Sequence, residues 1–204
     1  MVHRRFLAAL ILFTVLMVGA SRALAQTRAV DVGAHVGVLR LSELDTTDVG
    51  VGAHVVWHVA PALAVAGGVT GFPAADESGG SLGHQRRVLG LAGLRTTVTF
   101  GNAELYAKGG AGFLRFSQGP PIVCIAIFPP PLVCQLSGGY TAFAADVGGG
   151  ASIGLIPSGR LRASIEAGDL LVRYGLISFR PSGGTTEGFV SHNFLLSIGA
   201  AWRF

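Results

Sequence analysis

Apolar residues alternate with small or polar residues along several stretches of this chain. In the stretch that ends at Phe204, every second residue from Phe194 onward is apolar, whereas Ser197, Gly199 and Arg203 lie between them. The same alternation runs through 49–59 and 143–155. A period of two residues places successive side chains on opposite faces of a β-strand. The pattern therefore predicts strands that are apolar on one face and small or polar on the other.

Turn signals divide residues 29–204 into eight such segments, at 29–42, 49–60, 62–73, 87–100, 103–117, 140–156, 161–174 and 189–204. The tight connections are Pro61, Gly101-Asn102 and 157–160, and the longer ones are 43–48, 74–86, 118–139 and 175–188. Short turns at one end and longer loops at the other are the plan of bacterial outer-membrane barrels. We therefore predict an all-β fold, an eight-stranded antiparallel transmembrane β-barrel.

The composition fits that fold and excludes others. Charged residues make up 13% of the chain, about half the share in an ordinary soluble domain, and hydrophobic residues make up 50%. Such a chain is too apolar to be disordered. The mature chain is close to electrically neutral, with Lys108 as its one lysine. No basic stripe with interleaved aromatic residues is present, so nucleic acid is not an expected partner.

The first 25 residues have the layout of a secretory signal. Arg4 and Arg5 precede an apolar run over 6–20, and Ala23-Leu24-Ala25 supplies the small residues that signal peptidase reads. The alternative, a membrane-anchoring helix, needs about 20 apolar residues, more than this run offers. We therefore expect a signal peptide over 1–25, export through the Sec pathway and a barrel domain over 26–204.

The polar face shows which side of such a barrel faces lipid and which side faces the lumen. It carries Asp31, His35, His54, Arg95, Glu104, Lys108, Asp146, Arg162, Glu166 and Arg203, with glycine at many of the other positions. A soluble barrel or sandwich would have to bury this face in a dry core. Facing lipid, each basic residue would cost about 2–4 kcal/mol at the bilayer midplane. The pattern predicts lipid outside and a polar lumen inside.

The Gly101-Asn102 turn provides a test of strand register. A two-residue hairpin with glycine first pairs Phe100 with Ala103. Arg95 then lies opposite Lys108, and polar positions meet polar positions along both strands. A slip of one residue would destroy this agreement.

The run from Phe194 to Phe204 resembles the terminal strand of outer-membrane β-barrel proteins. The whole mature chain is similar to the small OmpA-like and OmpW-like group, the "outer membrane protein beta-barrel domain" type. The resemblance implies a place in the bacterial outer membrane among lipid and lipopolysaccharide, and no cofactor. It also implies an assembly signal for the barrel-assembly machinery, carried by Phe194, Leu196, Ile198, Trp202 and Phe204.

The charges predicted for the lumen allow two functions. Arg95 and Lys108 lie side by side and need acidic partners, which Glu104, Asp146 and Glu166 can supply. A structural network of these residues and Arg162 would plug a narrow barrel. The alternative is a narrow pore for small molecules or ions, since inward glycines can leave space for water.

The histidines are a weak signal. His54 and His58 share a face but lie about 13 Å apart along their strand, too far for one metal ion. His35, on the neighbouring strand, can approach them diagonally. We expect hydrogen bonding in the lumen and no metal site, with a two-histidine metal or pH-sensing site as the alternative.

Ser191 and His192 raise the question of an enzyme, because lipid A deacylases are small barrels with an exterior His and Ser. Adjacent strand residues point to opposite faces, so this pair cannot be hydrogen-bonded in a triad. By its position in the alternation, His192 belongs to the lipid-facing side of the last strand. We therefore expect a non-enzymatic protein with a role in envelope structure or surface interaction, and a lipid A-modifying enzyme as the remote alternative.

The longest loop, 118–139, holds both cysteines. An oxidising compartment favours a Cys124–Cys134 disulfide. Between them runs the apolar stretch 125–133, which includes three successive prolines. The stretch predicts either a cover over the barrel mouth or a contact with an extracellular partner.

Overall fold

The computed structural model describes residues 29–43, 45–73, 86–117, 139–174 and 188–204. The predicted signal peptide, Cys124, Cys134 and residues 118–138 of the long loop lie outside this part of the chain. The eight strands are β1 (Val30–Leu41), β2 (Thr46–Ala60), β3 (Leu63–Phe72), β4 (Arg87–Phe100), β5 (Ala103–Phe116), β6 (Tyr140–Gly154), β7 (Leu161–Tyr174) and β8 (Phe189–Arg203).

The strands form a closed antiparallel barrel in which each pairs with its neighbours along the chain and β8 pairs with β1. Val36 faces Ile198 across this closing seam, and the amide of Phe204 donates to the carbonyl of Val30 at 3.0 Å. Closure leaves no free strand edge. The predicted all-β, eight-stranded antiparallel barrel is confirmed. No helix in the described part of the chain is long and apolar enough to cross a membrane.

The predicted β4–β5 register is confirmed. Phe100 faces Ala103, and Arg95 faces Lys108. Gly101 has a φ of 59°, the left-handed value that a first-position glycine supplies in this kind of turn.

The first connection is shorter than predicted. Strand β2 begins at Thr46, and Asp45, the residue before it, has a φ of 47°. The predicted C-terminal boundary of the loop at 43–48 is therefore wrong, because residues 46–48 already belong to β2. Asp48 belongs to the strand because its side chain points inward, where it forms an ion pair with Arg87 on β4. A sequence reading of Asp48 as a loop residue misses this buried partner.

The two ends of the barrel differ. The short-turn end carries the β2–β3, β4–β5 and β6–β7 connections together with the first and last strand residues, Val30 and Arg203. The long-loop end carries the other four connections.

The sequence pattern predicts a polar lumen, but the lumen is polar in only one of its two halves. Its long-loop half is an apolar core in which Leu39, Leu114 and Leu170 are fully buried and Phe72 and Phe116 almost so. Inward residues in the short-turn half are small or polar, whereas the long-loop half combines this core with a few buried polar residues, among them Asp48, Arg87 and Asn193. Local alternation cannot show this division, because it depends on which inward residues share a level in the closed barrel.

Inward glycines make room for large side chains on the adjacent strand. A β-carbon on Gly52 would lie 2.6 Å from the His35 ring, and one on Gly150 would lie 2.6 Å from the Tyr106 hydroxyl. Gly50 lies under the ring of Phe72 in the same way. At these positions the expected space for water is taken up by the imidazole and aromatic rings themselves.

Candidate functional site

Glu104, on β5, is the centre of an ion cluster in the short-turn half of the lumen. Its carboxylate lies 3.6 Å from Arg95, 3.4 Å from Arg162 and 2.9 Å from Arg203. Only 5% of Glu104 is exposed. One carboxylate thus joins cations from three other strands and ties opposite walls of the barrel together.

Asp31 extends this cluster across the closing seam. It accepts two hydrogen bonds from Arg203 at 2.7 Å and lies 3.0 Å from His58. Asp31 and Arg203 are directly opposite in the β1–β8 pairing. The alternation predicts both residues on the inner face, but neither belongs to the charge network predicted from the sequence. Strand parity gives the face, whereas the pairing follows only from the register of the first strand with the last.

A second cluster surrounds Lys108. Its ammonium group lies 2.7 Å from Asp146 and 2.5 Å from Glu166. The Tyr106 hydroxyl donates to Glu166 at 3.3 Å, and the Arg95 guanidinium lies 3.5 Å from the centre of the Tyr106 ring. The structure thus brings all six lumen charges named from the sequence into two groups, which meet where Arg95 stacks on Tyr106.

A cavity of about 110 Å³ lies beside the second cluster. His35 and His54 line it with their Nδ1 atoms 3.3 Å apart, and His35 Nε2 is 2.8 Å from the Thr70 hydroxyl. His58 is held elsewhere, by Asp31. The described residues hold no group of three side chains able to bind a metal ion. The space is large enough for several water molecules.

The apolar core occupies the long-loop half of the lumen. Its members are Leu39, Leu41, Phe72, Leu89, Leu114, Phe116, Ala142, Ala144, Leu170, Val172, Tyr174 and Leu195. The buried ion pair of Arg87 and Asp48 crosses the same half, with the guanidinium over the Phe116 ring at 5.6 Å from its centre. This pair was not predicted, because Asp48 was read as part of a loop.

The outer surface is an apolar band. Valine, leucine and isoleucine side chains along its middle are exposed, Val147 by 61% and Val51 by 67%. Aromatic residues lie near both edges: Trp57, Phe100, Trp202 and Phe204 at the short-turn end, and Phe113, Phe143 and Phe194 toward the long-loop end. Four of the five residues named as an assembly signal share the outer face of β8, and the fifth, Phe204, directly follows that strand.

Charge on this outer face is confined to one end. Among the described strand residues, the charged ones that face outward are Arg40, Arg115, Asp169 and Arg173, all near the long-loop end, and His192 lies among them. His192 Nδ1 lies 2.7 Å from the Asp169 carboxylate.

Ser191 and His192 point to opposite sides of β8, as predicted. Ser191 is 2% exposed inside the barrel, whereas the His192 side chain is 74% exposed outside. A different serine is the neighbour of His192. Ser42, at the end of β1, donates its hydroxyl hydrogen to the His192 carbonyl at 2.6 Å. The sequence could not indicate this contact, because it joins the first hairpin to the last strand.

Comparison with solved structures identifies the fold. The chain is similar to the N-terminal β-barrel domain of Pseudomonas aeruginosa OprF, with 10% identity, 87% of this chain and 98% of that chain covered, and a TM-score of 0.54. It is also similar to Neisserial surface protein A, with 13% identity, 86% and 96% covered, and a TM-score of 0.51. No protein-family model and no curated protein sequence matches the chain. The chain therefore has the fold of the small eight-stranded outer-membrane β-barrels.

Proposed function

We propose that this protein is an outer-membrane barrel whose lumen is sealed and which holds its four long-loop-end connections at the cell surface. The apolar outer band supports the membrane location. On β8, Phe194 and Trp202 lie eight residues apart, which is about 26 Å along the strand. With the strand tilt usual for such barrels, the aromatic edges enclose a band about 20 Å tall, close to the height that an outer-membrane barrel presents to lipid.

The observation that carries the sealed-lumen proposal is the apolar core across the long-loop half. Conduction needs a continuous water-filled path through the barrel, but Leu39, Leu114 and Leu170 are fully buried there against their neighbours. Below them, Glu104 and Lys108 bind charges from several strands, so the cross-section at their level is bridged as well. Opening a pore would require both layers to separate.

Planar-bilayer recording tests this proposal. We expect the purified barrel to insert without discrete conductance steps, alongside a general porin as a positive control in the same bilayers. A Leu39→Ser and Leu170→Ser double variant introduces two hydroxyl groups into the apolar core. A Val147→Ser variant, which introduces a serine on the outer face, is its control. Steps in the wild type that change when Glu104 becomes Gln would contradict a sealed lumen and favour the narrow pore.

The remaining expectations belong to this proposal. Residues 1–25 act as a cleavable signal for Sec export, which N-terminal sequencing of the mature protein tests. The barrel-assembly machinery inserts the chain through its last strand, and lipid and lipopolysaccharide surround it. Exchange of Phe204 for Ala tests the insertion step through the amount of heat-modifiable protein in the outer membrane.

We also propose that loop 118–139, closed by a Cys124–Cys134 disulfide, contacts an extracellular partner. The support is its length and its apolar run at 125–133. Deletion of 122–136 should abolish surface adhesion while the barrel still folds. A deletion variant that adheres as well as the wild type would refute the contact.

A further inference from the structure

His35 on β1 and His54 on β2 form a pair of inward-facing histidines, which we call the histidine pair. They are diagonal to each other across the two strands, because the residue directly opposite His54 is Gly33. Their Nδ1 atoms lie 3.3 Å apart, and both rings line the cavity beside Lys108. Two nitrogens of the kind that bind metal ions therefore face each other next to a space that can hold water.

Glycines on the flanking strands make room for both rings. Each histidine has a glycine directly opposite it on either side: Gly52 and Gly199 beside His35, and Gly33 and Gly68 beside His54. A β-carbon on Gly52 would lie 2.6 Å from the His35 ring, and one on Gly33 would lie 2.8 Å from the His54 ring. Glycine weakens a strand and often marks a place where another group approaches closely. The strands around the pair are thus shaped to the two imidazoles.

The separation of the two nitrogens fits a shared metal ion. Imidazole nitrogens bind Zn²⁺ at about 2.0–2.1 Å, so two of them at a tetrahedral angle are about 3.3–3.4 Å apart. The Nδ1 atoms of the histidine pair have that separation. Neighbouring ligands of a square-planar ion would be only about 2.9 Å apart, so the spacing favours tetrahedral Zn²⁺ over Cu²⁺. Without metal, one ring donates its Nδ1 hydrogen to the other.

Thr70 holds the far side of His35 as the partner of a metal ligand would. His35 Nε2 lies 2.8 Å from the Thr70 hydroxyl, and Thr70 is 7% exposed. A histidine that binds metal usually donates its other ring N–H to such an oxygen, which fixes the tautomer. With Nε2–H donating to Thr70, His35 Nδ1 carries a lone pair. When His54 takes its own Nε2–H tautomer, both Nδ1 lone pairs become available to one ion.

We infer that the histidine pair binds one Zn²⁺ ion through its two Nδ1 atoms, with water or a small anion from the cavity at the other two positions. Across the part of the chain that the structure describes, no third metal-ligating side chain joins the pair. The ion would therefore keep open positions, as zinc does when the protein supplies only part of its ligands. This site goes beyond the proposed function and departs from the expected absence of a metal.

The charges of the lumen favour an anion at one of the open positions. The two ion clusters contain four cations and four carboxylates, which pair with one another. Glu166 and Asp146 line the cavity, but both are bound to Lys108. Zn²⁺ between neutral imidazoles would thus add positive charge to a balanced interior. Hydroxide or chloride on the ion would offset that charge.

Metal binding by the untagged barrel tests the inference. The chain is unfolded, stripped with a chelator and refolded into detergent micelles with Zn²⁺ or Co²⁺ present, so that the ion need not cross the packed lumen. After free metal is removed, mass spectrometry measures the metal content, and the visible absorption of Co²⁺ reports tetrahedral coordination. The variants are His35→Ala, His54→Ala and Thr70→Val. The controls are His58→Ala, which removes the lumen histidine bound to Asp31, and His192→Ala, which removes an exposed histidine outside.

We expect one tetrahedral ion per chain in the wild type and in both controls. His35→Ala and His54→Ala should each weaken binding at least about 100-fold, because each removes a ligand. Thr70→Val should weaken it about tenfold and leave the tetrahedral spectrum, since it removes only the partner of His35. A purely structural role for Thr70 would not change metal affinity. The heat-dependent gel shift shows which variants are folded.

X-ray absorption of the zinc-loaded wild type counts the ligands even if a histidine variant does not fold. It should show two imidazole nitrogens at about 2.0–2.1 Å and two further oxygen or chloride ligands. A spectrum with one imidazole or none would overturn the inference.

Folded wild type that retains no ion would overturn it as well. So would binding that survives both His35→Ala and His54→Ala, or binding that is lost in His192→Ala, because the ion would then lie elsewhere. The metal assays do not depend on a sealed lumen, so discrete conductance would refute the proposed function and leave the zinc site standing.

Discussion

Exchange of Glu104 for Gln tests whether the lumen is a dry, bridged interior. The variant keeps the size of the side chain but removes the charge that Arg95, Arg162 and Arg203 share. Removing one partner from a buried ion pair costs about 3–5 kcal/mol. Arg203 retains two hydrogen bonds to Asp31, and Arg162 retains two to Ser152, one to its hydroxyl and one to its carbonyl, which should limit the loss. We therefore expect about 3 kcal/mol, a shift of about a hundredfold in the unfolding equilibrium.

The assay is urea unfolding in phospholipid vesicles, followed by tryptophan fluorescence and by the mobility of unboiled samples on gels. Arg40→Gln is the matched control, because its ion pair with Asp45 spans 3.7 Å and the Arg40 side chain is 65% exposed. Such a surface pair contributes about 0.5 kcal/mol or less. If the two variants lose equal stability, water screens the lumen charges and the reasoning behind a sealed lumen fails.

Three further substitutions test the apolar core, an inward glycine and the outer face by the same unfolding assay. Leu170→Ala creates a cavity in the fully buried core and should cost about 2–5 kcal/mol of stability. Leu94→Ala, on the outer face, should cost less, and equal losses would argue against a packed core. Gly52→Ala should cost about 1–3 kcal/mol because its β-carbon would lie 2.4 Å from the Val69 carbonyl oxygen and 2.6 Å from the His35 ring, whereas Gly67→Ala, with its nearest neighbour at 3.8 Å, should cost nothing; a neutral Gly52→Ala would show that both the ring and the neighbouring strand give way easily. Val147→Arg should cost about 2–4 kcal/mol and Leu155→Arg, close to the short-turn rim, about 0–1 kcal/mol, and a reversed order would refute the membrane placement.

The sequence predicts the fold well because alternation and turn chemistry are local. The Gly101-Asn102 turn alone sets the pairing of Arg95 with Lys108, and the structure has that register. Strand parity also places His192 outside and Ser191 inside. These inferences need only the two-residue period and the geometry of a short turn.

The site is harder to predict because it depends on closure of the barrel. Arg203 meets Asp31, and Ser42 meets His192, only when the last strand pairs with the first. The division of the lumen into a polar half and an apolar half likewise depends on which residues of eight strands share a level. Asp48 was misread for a related reason, since its partner Arg87 lies two strands away.

Gel mobility of the outer-membrane fraction, with and without boiling, tests the central claim most directly. We predict that the protein is recovered in that fraction and migrates at one position unboiled and at another after boiling, as a closed barrel does. Recovery from the periplasm as a soluble protein with unchanged mobility would contradict the account, because the apolar outer band would then face water.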